Sequence, residues 1–287
     1  MESTKTPITQ NNPKRDSDGS RFFYGRKMKS KIFILSVLVV IVFVSNLSQA
    51  ANKLEKNLVL YLSFDELDGK KVEDHSIHGN HGEISGKPTL VDGKFGKALK
   101  LNGKTDWVTI AHDNSLCVSK AVTVMAWINA ESHKGGGTAQ WAGILAKSNN
   151  PRSYSFYTTT DGGGALHFSS MGGSVSNKPV ELKKWQHVVA QMTEKNAHRY
   201  YINGESAGEF AGKGDLPGKV DDAEVFVGKS HEGNREFVGI IDEVRIWNRE
   251  LSEKEVKEQM EAGRLKLLGV DPQQKLASTW GLLKREK

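Results

Sequence analysis

The sequence predicts an all-β protein, a sandwich or jelly roll, with one short C-terminal α-helix. Three observations lead there. About a dozen short apolar or alternating runs follow one another after residue 57, each bounded by Gly, Asn or Asp. Only one stretch carries a helix start signal, and it lies near the C-terminus. No internal repeat occurs in the series, and short strands with turn signals between them indicate a sandwich or jelly roll.

The elements follow in order. "LVLYLSF" (58–64), "ALKLNG" (98–103) and "WVTIA" (107–111) open the strand series. "AVTVMAWINA" (121–130), "AGILAKS" (142–148), "YSFYTTT" (154–160) and "ALHFSS" (165–170) continue it. "QHVVAQMT" (186–193), "HRYYING" (198–204), "AEVFVGK" (223–229) and "GIIDEVRIW" (239–247) complete it. "DGGGA" (161–165) and "YINGESAG" (201–208) are hairpin turns, and Asn203-Gly204 suits a two-residue turn at positive φ. In "NRELSEKEV" Ser252 is the N-cap and Glu255 completes a capping box. Val256 and Met260 then face inward, and Gly263 ends the helix.

Alternation along "GIIDEVRIW" places Ile240, Asp242, Val244 and Ile246 on one face and Ile241, Glu243, Arg245 and Trp247 on the other. A carboxylate among β-branched residues needs a metal, a cation or several N–H donors, because an unpaired buried charge is expensive.

Ahead of the strands lies a leader. Residues 1–27 are polar and read as a disordered basic extension, with Met28 the expected initiator. Residues 28–50 read as a signal peptide: Lys29 and Lys31, an apolar run from Ile32 to Val44, then Ser48-Gln49-Ala50. If it stays uncleaved it acts as a signal anchor, the only membrane contact expected. Residues 51–57 are a linker, 58–263 the domain, and 264–287 a tail without a clear strand, docked or frayed. Either fate of the leader puts the domain outside the cytoplasm, secreted or at the cell surface.

Charge and cysteine content exclude several classes. The first fifty residues hold 8 Lys/Arg against 3 Asp/Glu, so most of the +6 net charge sits there. No basic run follows, which argues against nucleic acid as a partner. With a single cysteine, Cys117, an intrachain disulfide is impossible. Cys117 reads as a small packing residue.

At this point the residues resemble a known family. "LSFDE" (62–66), "VEDHSIHGNHGEI" (72–84), "VDGKFGKALKLNGKTDWVTI" (91–110), "VTVMAWI" (122–128), "WQHVVAQMTEKNAHRYYINGESAG" (185–208) and "FVGIIDEVRIWNRELSEKEV" (237–256) follow, in order, the blocks of bacterial laminin-G-like, concanavalin A-like jelly-roll domains. The resemblance implies two packed antiparallel sheets, extracytoplasmic recognition that is often of carbohydrate, and often a structural Ca²⁺. Fold does not establish function.

Ca²⁺ takes six to eight oxygen ligands. First and last strands are neighbours in this fold, so Asp65, Asp74, Asn80 and Asp242 form the expected calcium set, completed by carbonyls. Alternatively Asp242 accepts backbone N–H bonds while Asp65 and Asp74 cap turns. His75, His78 and His81 are spaced three apart, match no zinc pattern and lack a fourth ligand. For a sugar, an apolar pyranose face asks for an aromatic platform. Trp141 in a Gly-rich loop, with Tyr154 and Tyr157, are the candidates. Trp127, Trp185 and Trp247 sit in core blocks. No strand face carries the paired carboxylates of a β-glucanase, and no nucleophile-elbow or zinc-protease motif occurs.

The expectation is therefore a non-catalytic recognition module whose partner is a glycan or an extracellular protein. A structural or adhesion protein without a small-sugar ligand is the second reading, and a diverged glycoside hydrolase the third.

Overall fold

The computed structural model describes residues 56–136, 139–147, 153–170, 172–212 and 222–263. The leader, most of the linker and the 264–287 tail lie outside the described residues. Among the described residues no helix is long and apolar enough to cross a membrane.

Among the described residues there are sixteen strands, one α-helix and two 3-10 turns, Asn114–Leu116 and Asp161–Gly163. The strands run β1 (Leu58–Asp68), β2 (Lys71–Asp74), β3 (Gly82–Ser85), β4 (Thr89–Asp92), β5 (Lys97–Asn102) and β6 (Trp107–Ile110). Next come β7 (Val122–Ala130), β8 (Trp141–Lys147), β9 (Tyr154–Thr159), β10 (Ala165–Ser169) and β11 (Gly173–Pro179). β12 (Trp185–Met192), β13 (Ala197–Ile202), β14 (Glu205–Ala211), β15 (Val225–Val227) and β16 (Val238–Trp247) follow. Helix α1 (Glu253–Met260) comes after them. Every named pairing is antiparallel, as expected for the jelly roll. The strands expected from sequence are present. β2, β3, β4, β11 and β14 are additional, short or exposed strands whose alternation is too brief to read.

The ladder runs β11-β10-β9-β8-β15-β6-β3-β2-β1-β16-β7-β12-β13-β14, with the β4–β5 hairpin added against β16. Its two ends meet, β11 against β14 and β10 against β12, so the ladder folds over into a nearly closed sandwich. Between the layers lies one core, including Leu62, Phe64, Val108, Ile128, Phe156, Phe168, Tyr200, Ile241, Val244 and Ile246, all of them buried. A smaller cluster sits on the far side of β1 and β16: Leu58, Tyr61, Met125, Val189, Tyr201, Trp247, Leu251 and Val256. β1 is therefore covered on both faces, which explains its unbroken apolar run.

α1 is read correctly at its start. Ser252 Oγ accepts from Glu255 N at 3.3 Å, and Ser252 N donates to the Glu255 carboxylate at 2.8 Å. Its end differs: the helix stops at Met260 with Glu261 as C-cap, before Gly263. Gly263 instead lies against Phe95, where a Cβ would fall 2.9 Å from the ring. Asn203 (φ 52°) and Gly204 (φ 77°) form the expected hairpin turn.

The alternation expected along the closing strand does not hold. Register shifts between Asp242 and Arg245, and Glu243 takes φ 54°. This bulge resets the phase. Ile241, Val244 and Ile246 enter the main core, while Glu243, Arg245 and Trp247 face the α1 side. Asp242 pairs with Trp127 rather than sharing a face with Val244. β1 carries a matching irregularity between Leu62 and Leu67, with Phe64 at φ 58°.

Candidate functional site

Asp242 is fully buried, and its partners are backbone amides. One carboxylate oxygen accepts from Lys94 N at 2.8 Å and Phe95 N at 3.1 Å. The other makes no hydrogen bond of good geometry among the described residues, with the Glu243 amide its near neighbour. Burial, then the neighbouring Glu243 carboxylate, pushes its pKa up to about 8, against the pull of the amides. Those amides belong to the β4–β5 turn "DGKFG". Gly93 is required there, because a Cβ would fall 2.6 Å from the Asp242 oxygen. Asp65 holds the same turn by accepting from Lys97 N at 3.0 Å.

Asp74 and Asn80 do different work. Asp74 accepts from Tyr61 N (2.7 Å), Ser76 N (2.9 Å), Ser76 Oγ (2.6 Å) and Asn80 N (2.7 Å). Asn80 donates its amide to Val59 O at 2.7 Å and Ser115 Oγ at 2.9 Å. The four expected calcium ligands thus divide into two pairs: Asp65 and Asp242 fasten one turn, and Asp74 and Asn80 fasten another loop. Four N–H and O–H donors aimed at Asp74 neutralise it as a turn cap and leave little room for a cation. No three His, Cys, Asp or Glu side chains among the described residues come together in a way that could hold a metal ion. The residues as arranged do not fit a single calcium site. In the same loop His75 reaches Ser63 Oγ at 3.1 Å, and His81 accepts from Asp74 N at 3.1 Å.

Beneath α1 the bulge assembles a buried charge network. The Arg245 guanidinium donates to Gln259 O at 2.8 Å, to Ala262 O and to Glu243, and it stands 4.6 Å from the Tyr61 ring. Tyr61 OH donates to Glu243 at 2.8 Å. Both ions are fully buried. Burial raises the Glu243 pKa while Arg245 opposes the rise. Gln259 and Ala262 supply carbonyls at the helix C-terminus, where orphan acceptors and the negative end of the dipole favour a cation. Trp127 Nε1 donates to Met260 O at 3.2 Å in the same region. Sequence reasoning assigned no role to Arg245. Its signal was a lone Arg in a buried strand, which needs anionic or carbonyl partners.

The outward face of β8, β9 and β10 holds the aromatic candidates. In β9 Tyr154 and Phe156 belong to the core, so Tyr157 points the other way. Tyr154, three positions from Tyr157, lies on the opposite face. It is fully buried, with its hydroxyl donating to Leu116 O at 3.1 Å, and offers no platform. Tyr157 is also buried, covered by the loop after β15; its hydroxyl lies 3.4 Å from the Glu232 carboxylate. Trp141 is half-buried at the start of β8. The Arg235 guanidinium stacks 4.6 Å from the Trp141 centroid and 5.7 Å from that of Tyr157, and pairs with Glu232 at 3.1 Å. His167 lies 6.2 Å from Trp141 and 5.8 Å from Tyr157, ring to ring. Gly143 N donates to Arg235 O at 2.8 Å, which ties the loop to the sheet.

Next along the ladder a second stack forms. Lys229 Nζ stands 4.2 Å from the Trp107 centroid and 4.8 Å from that of Phe226, and His231 lies 4.5 Å from Phe226. Sequence reasoning missed Arg235, Glu232, Lys229, Trp107 and Phe226 as site residues. Their partners are distant in sequence, and the polar loop "GKSHEGNRE" gives only the i, i+3 pair Glu232–Arg235 as a local sign.

Comparison with solved structures places this architecture. Domain 4 of AbnA, a GH43 extracellular arabinanase from Geobacillus stearothermophilus, solved with arabinotriose, is 22% identical, with TM-score 0.58 over 71% of this chain and 98% of that one. The binding domain of Paraclostridial Mosquitocidal Protein 1 is 17% identical, with TM-score 0.58 over 72% and 52%. A botulinum neurotoxin type C structure, whose cell entry depends on two ganglioside molecules, is 14% identical, with TM-score 0.56 over 73% and 52%. This chain spans about half of the two toxin chains. At these identities the likeness is one of fold. No curated protein matches. The family model described as concanavalin A-like lectin/glucanases superfamily matches residues 102–257, more than half of the 287 residues, and the chain belongs to that superfamily.

Proposed function

We propose that this protein is an exported, non-catalytic recognition module that binds carbohydrate at the cell surface through the outward face around Trp141. The observation that carries the reading is the half-buried Trp141 ring, braced by Arg235 and next to His167 and Tyr157. An aromatic ring held rigidly beside hydrogen-bonding groups suits a sugar, whose flat face is apolar and whose rim is polar. The arabinotriose complex of AbnA domain 4 and the ganglioside dependence of the type C neurotoxin lend support at the level of fold. The apolar run before Ala51 supports export. Against a glycosidase stands the state of the carboxylates: Asp242 and Glu243 are fully buried, the first held by backbone amides and the second by Tyr61 and Arg245.

A glycan array followed by calorimetric titration tests the reading. Binding of at least one oligosaccharide is expected, with Trp141→Ala weakening it roughly tenfold, the scale of one lost stacking contact. No carbohydrate binding, with concentration-dependent self-association, would favour the structural or adhesion role instead.

A further inference from the structure

We propose that the stack of Lys229 on Trp107 and Phe226 is a subsite for a carboxylated sugar such as a uronate, with the ammonium reading the charge and the rings carrying the sugar face. The inference rests on the carbohydrate reading above and names the ligand class.

Geometry comes first. Val225 and Val227 enter the core, so Phe226 between them points outward. Val108 and Ile110 do the same in β6, which turns Trp107 and Thr109 outward. Thr109 is the direct cross-strand partner of Phe226, and Trp107 lies diagonal to it. Gly228 then takes φ 88°, where an added Cβ would collide with Leu101. The chain turns there and brings Lys229 back over both rings. Trp107, Phe226, Lys229 and His231 are each partly exposed, so a ligand reaches all four.

Charge bookkeeping singles out this stack. Five cations stand over aromatic rings among the described residues: Lys94, Lys229, Arg235, Arg245 and Arg249. Arg235, Arg245 and Arg249 each also pair with a carboxylate, Glu232, Glu243 and Glu255 respectively. Lys94 and Lys229 have no such pair among the described residues. Lys94 covers Trp127, which is only 5% exposed and leaves no ring surface for a ligand. Lys229 alone combines an unpaired ammonium with two partly exposed rings. Glu232, the nearest acid in its loop, is committed to Ser230 Oγ at 2.8 Å, to Tyr157 and to Arg235. A stacked, partly desolvated ammonium favours an anionic partner over water. A neutral sugar would leave that charge unmet.

The test titrates the full chain with tetragalacturonate and with its methyl ester, which keeps the sugar and removes the charge, and repeats both with an oligomannuronate pair. The acids are expected to bind at least tenfold tighter than their esters, with the preference shrinking as salt rises. Lys229→Gln should bring the acid-to-ester ratio close to one without moving Tm, and Lys229→Arg should restore most of the preference. Equal binding of acid and ester, or binding of neutral arabino-oligosaccharides with no acid bound, would overturn the subsite and leave the carbohydrate reading standing. Failure of every sugar to bind would remove both.

Discussion

Arg245 stands 4.6 Å from the Tyr61 ring and Lys229 stands 4.2 Å from the Trp107 ring, yet the two cations differ in every other respect. Arg245 is fully buried, and its guanidinium is spent on Glu243 and two carbonyls at the end of α1. Lys229 is partly exposed and, among the described residues, pairs with no carboxylate beside its two rings. The same ring contact therefore serves opposite ends. In the interior it joins an ion pair and two carbonyl contacts that hold a helix to a sheet, although Arg245 Nε and one Glu243 oxygen make no hydrogen bond among the described residues. On the outward face it leaves a charge with unfilled capacity. Stacking alone does not mark a binding site; exposure together with the lack of a paired carboxylate does.

The sharpest way to break this contrast is Arg245→Met. It strands Glu243 as an uncompensated buried carboxylate and frees the α1 carbonyls. A loss of about 3–5 kcal/mol is expected from denaturant unfolding. Replacing Glu243 with Gln in the same protein should recover part of that loss, because the orphan charge is gone. A cost under about 1 kcal/mol for Arg245→Met would deny the network its role.

Acid should find the same interior next. His187 is buried against Trp127, neither ring nitrogen has a hydrogen-bond partner, and burial followed by the Arg245 charge pushes its pKa down to about 3. Below pH 6.5 the unfolded chain takes a proton that the folded one refuses, so this stability is complete above 6.5 and drains away as pH falls toward 3. Compared with His187→Leu, the parent should lose about 1.4 kcal/mol per pH unit across that window. Parallel pH profiles of the two proteins would refute the assignment.

Ser252→Ala removes one half of the capping box and should cost about 1 kcal/mol in thermal unfolding, since α1 is docked as well as capped. Smallest of all, Lys229→Gln should change stability by less than about 0.5 kcal/mol, as for ordinary surface positions. Addition of EDTA or excess Ca²⁺ should leave Tm unchanged, as expected where Asp74 is filled by its own loop. A calcium-dependent rise in Tm would bring Asp65 and Asp242 back as ligands.

How much of this was legible in the sequence depended on how local the cause was. Ser252 and Glu255 make their bonds to each other, and Asn203-Gly204 closes its own turn, so both were readable from a few letters. Trp141 stood out because Gly residues surround it. The phase of β16 was not readable. Glu243 adopts a left-handed conformation that costs a non-glycine residue about 1–2 kcal/mol, and only the network with Tyr61 and Arg245 makes that worthwhile. Strict alternation accordingly put Asp242 among the wrong neighbours. It was right that Asp242 is buried and needs partners, and the amides of Lys94 and Phe95 supply them. Tyr154 and Tyr157 were grouped although odd spacing sends them to opposite faces. The Lys229 stack needed knowledge of which strands adjoin β15, and that order is a property of the whole ladder.

The position of β1 carries a mechanical consequence. It is the first strand after the N-terminal region, yet it sits in mid-sheet, hydrogen-bonded to β2 on one side and β16 on the other. A pull on β1 along its length would load both ladders in shear. An edge strand under the same pull would peel away one bond at a time. The first described strand is thus held from both sides.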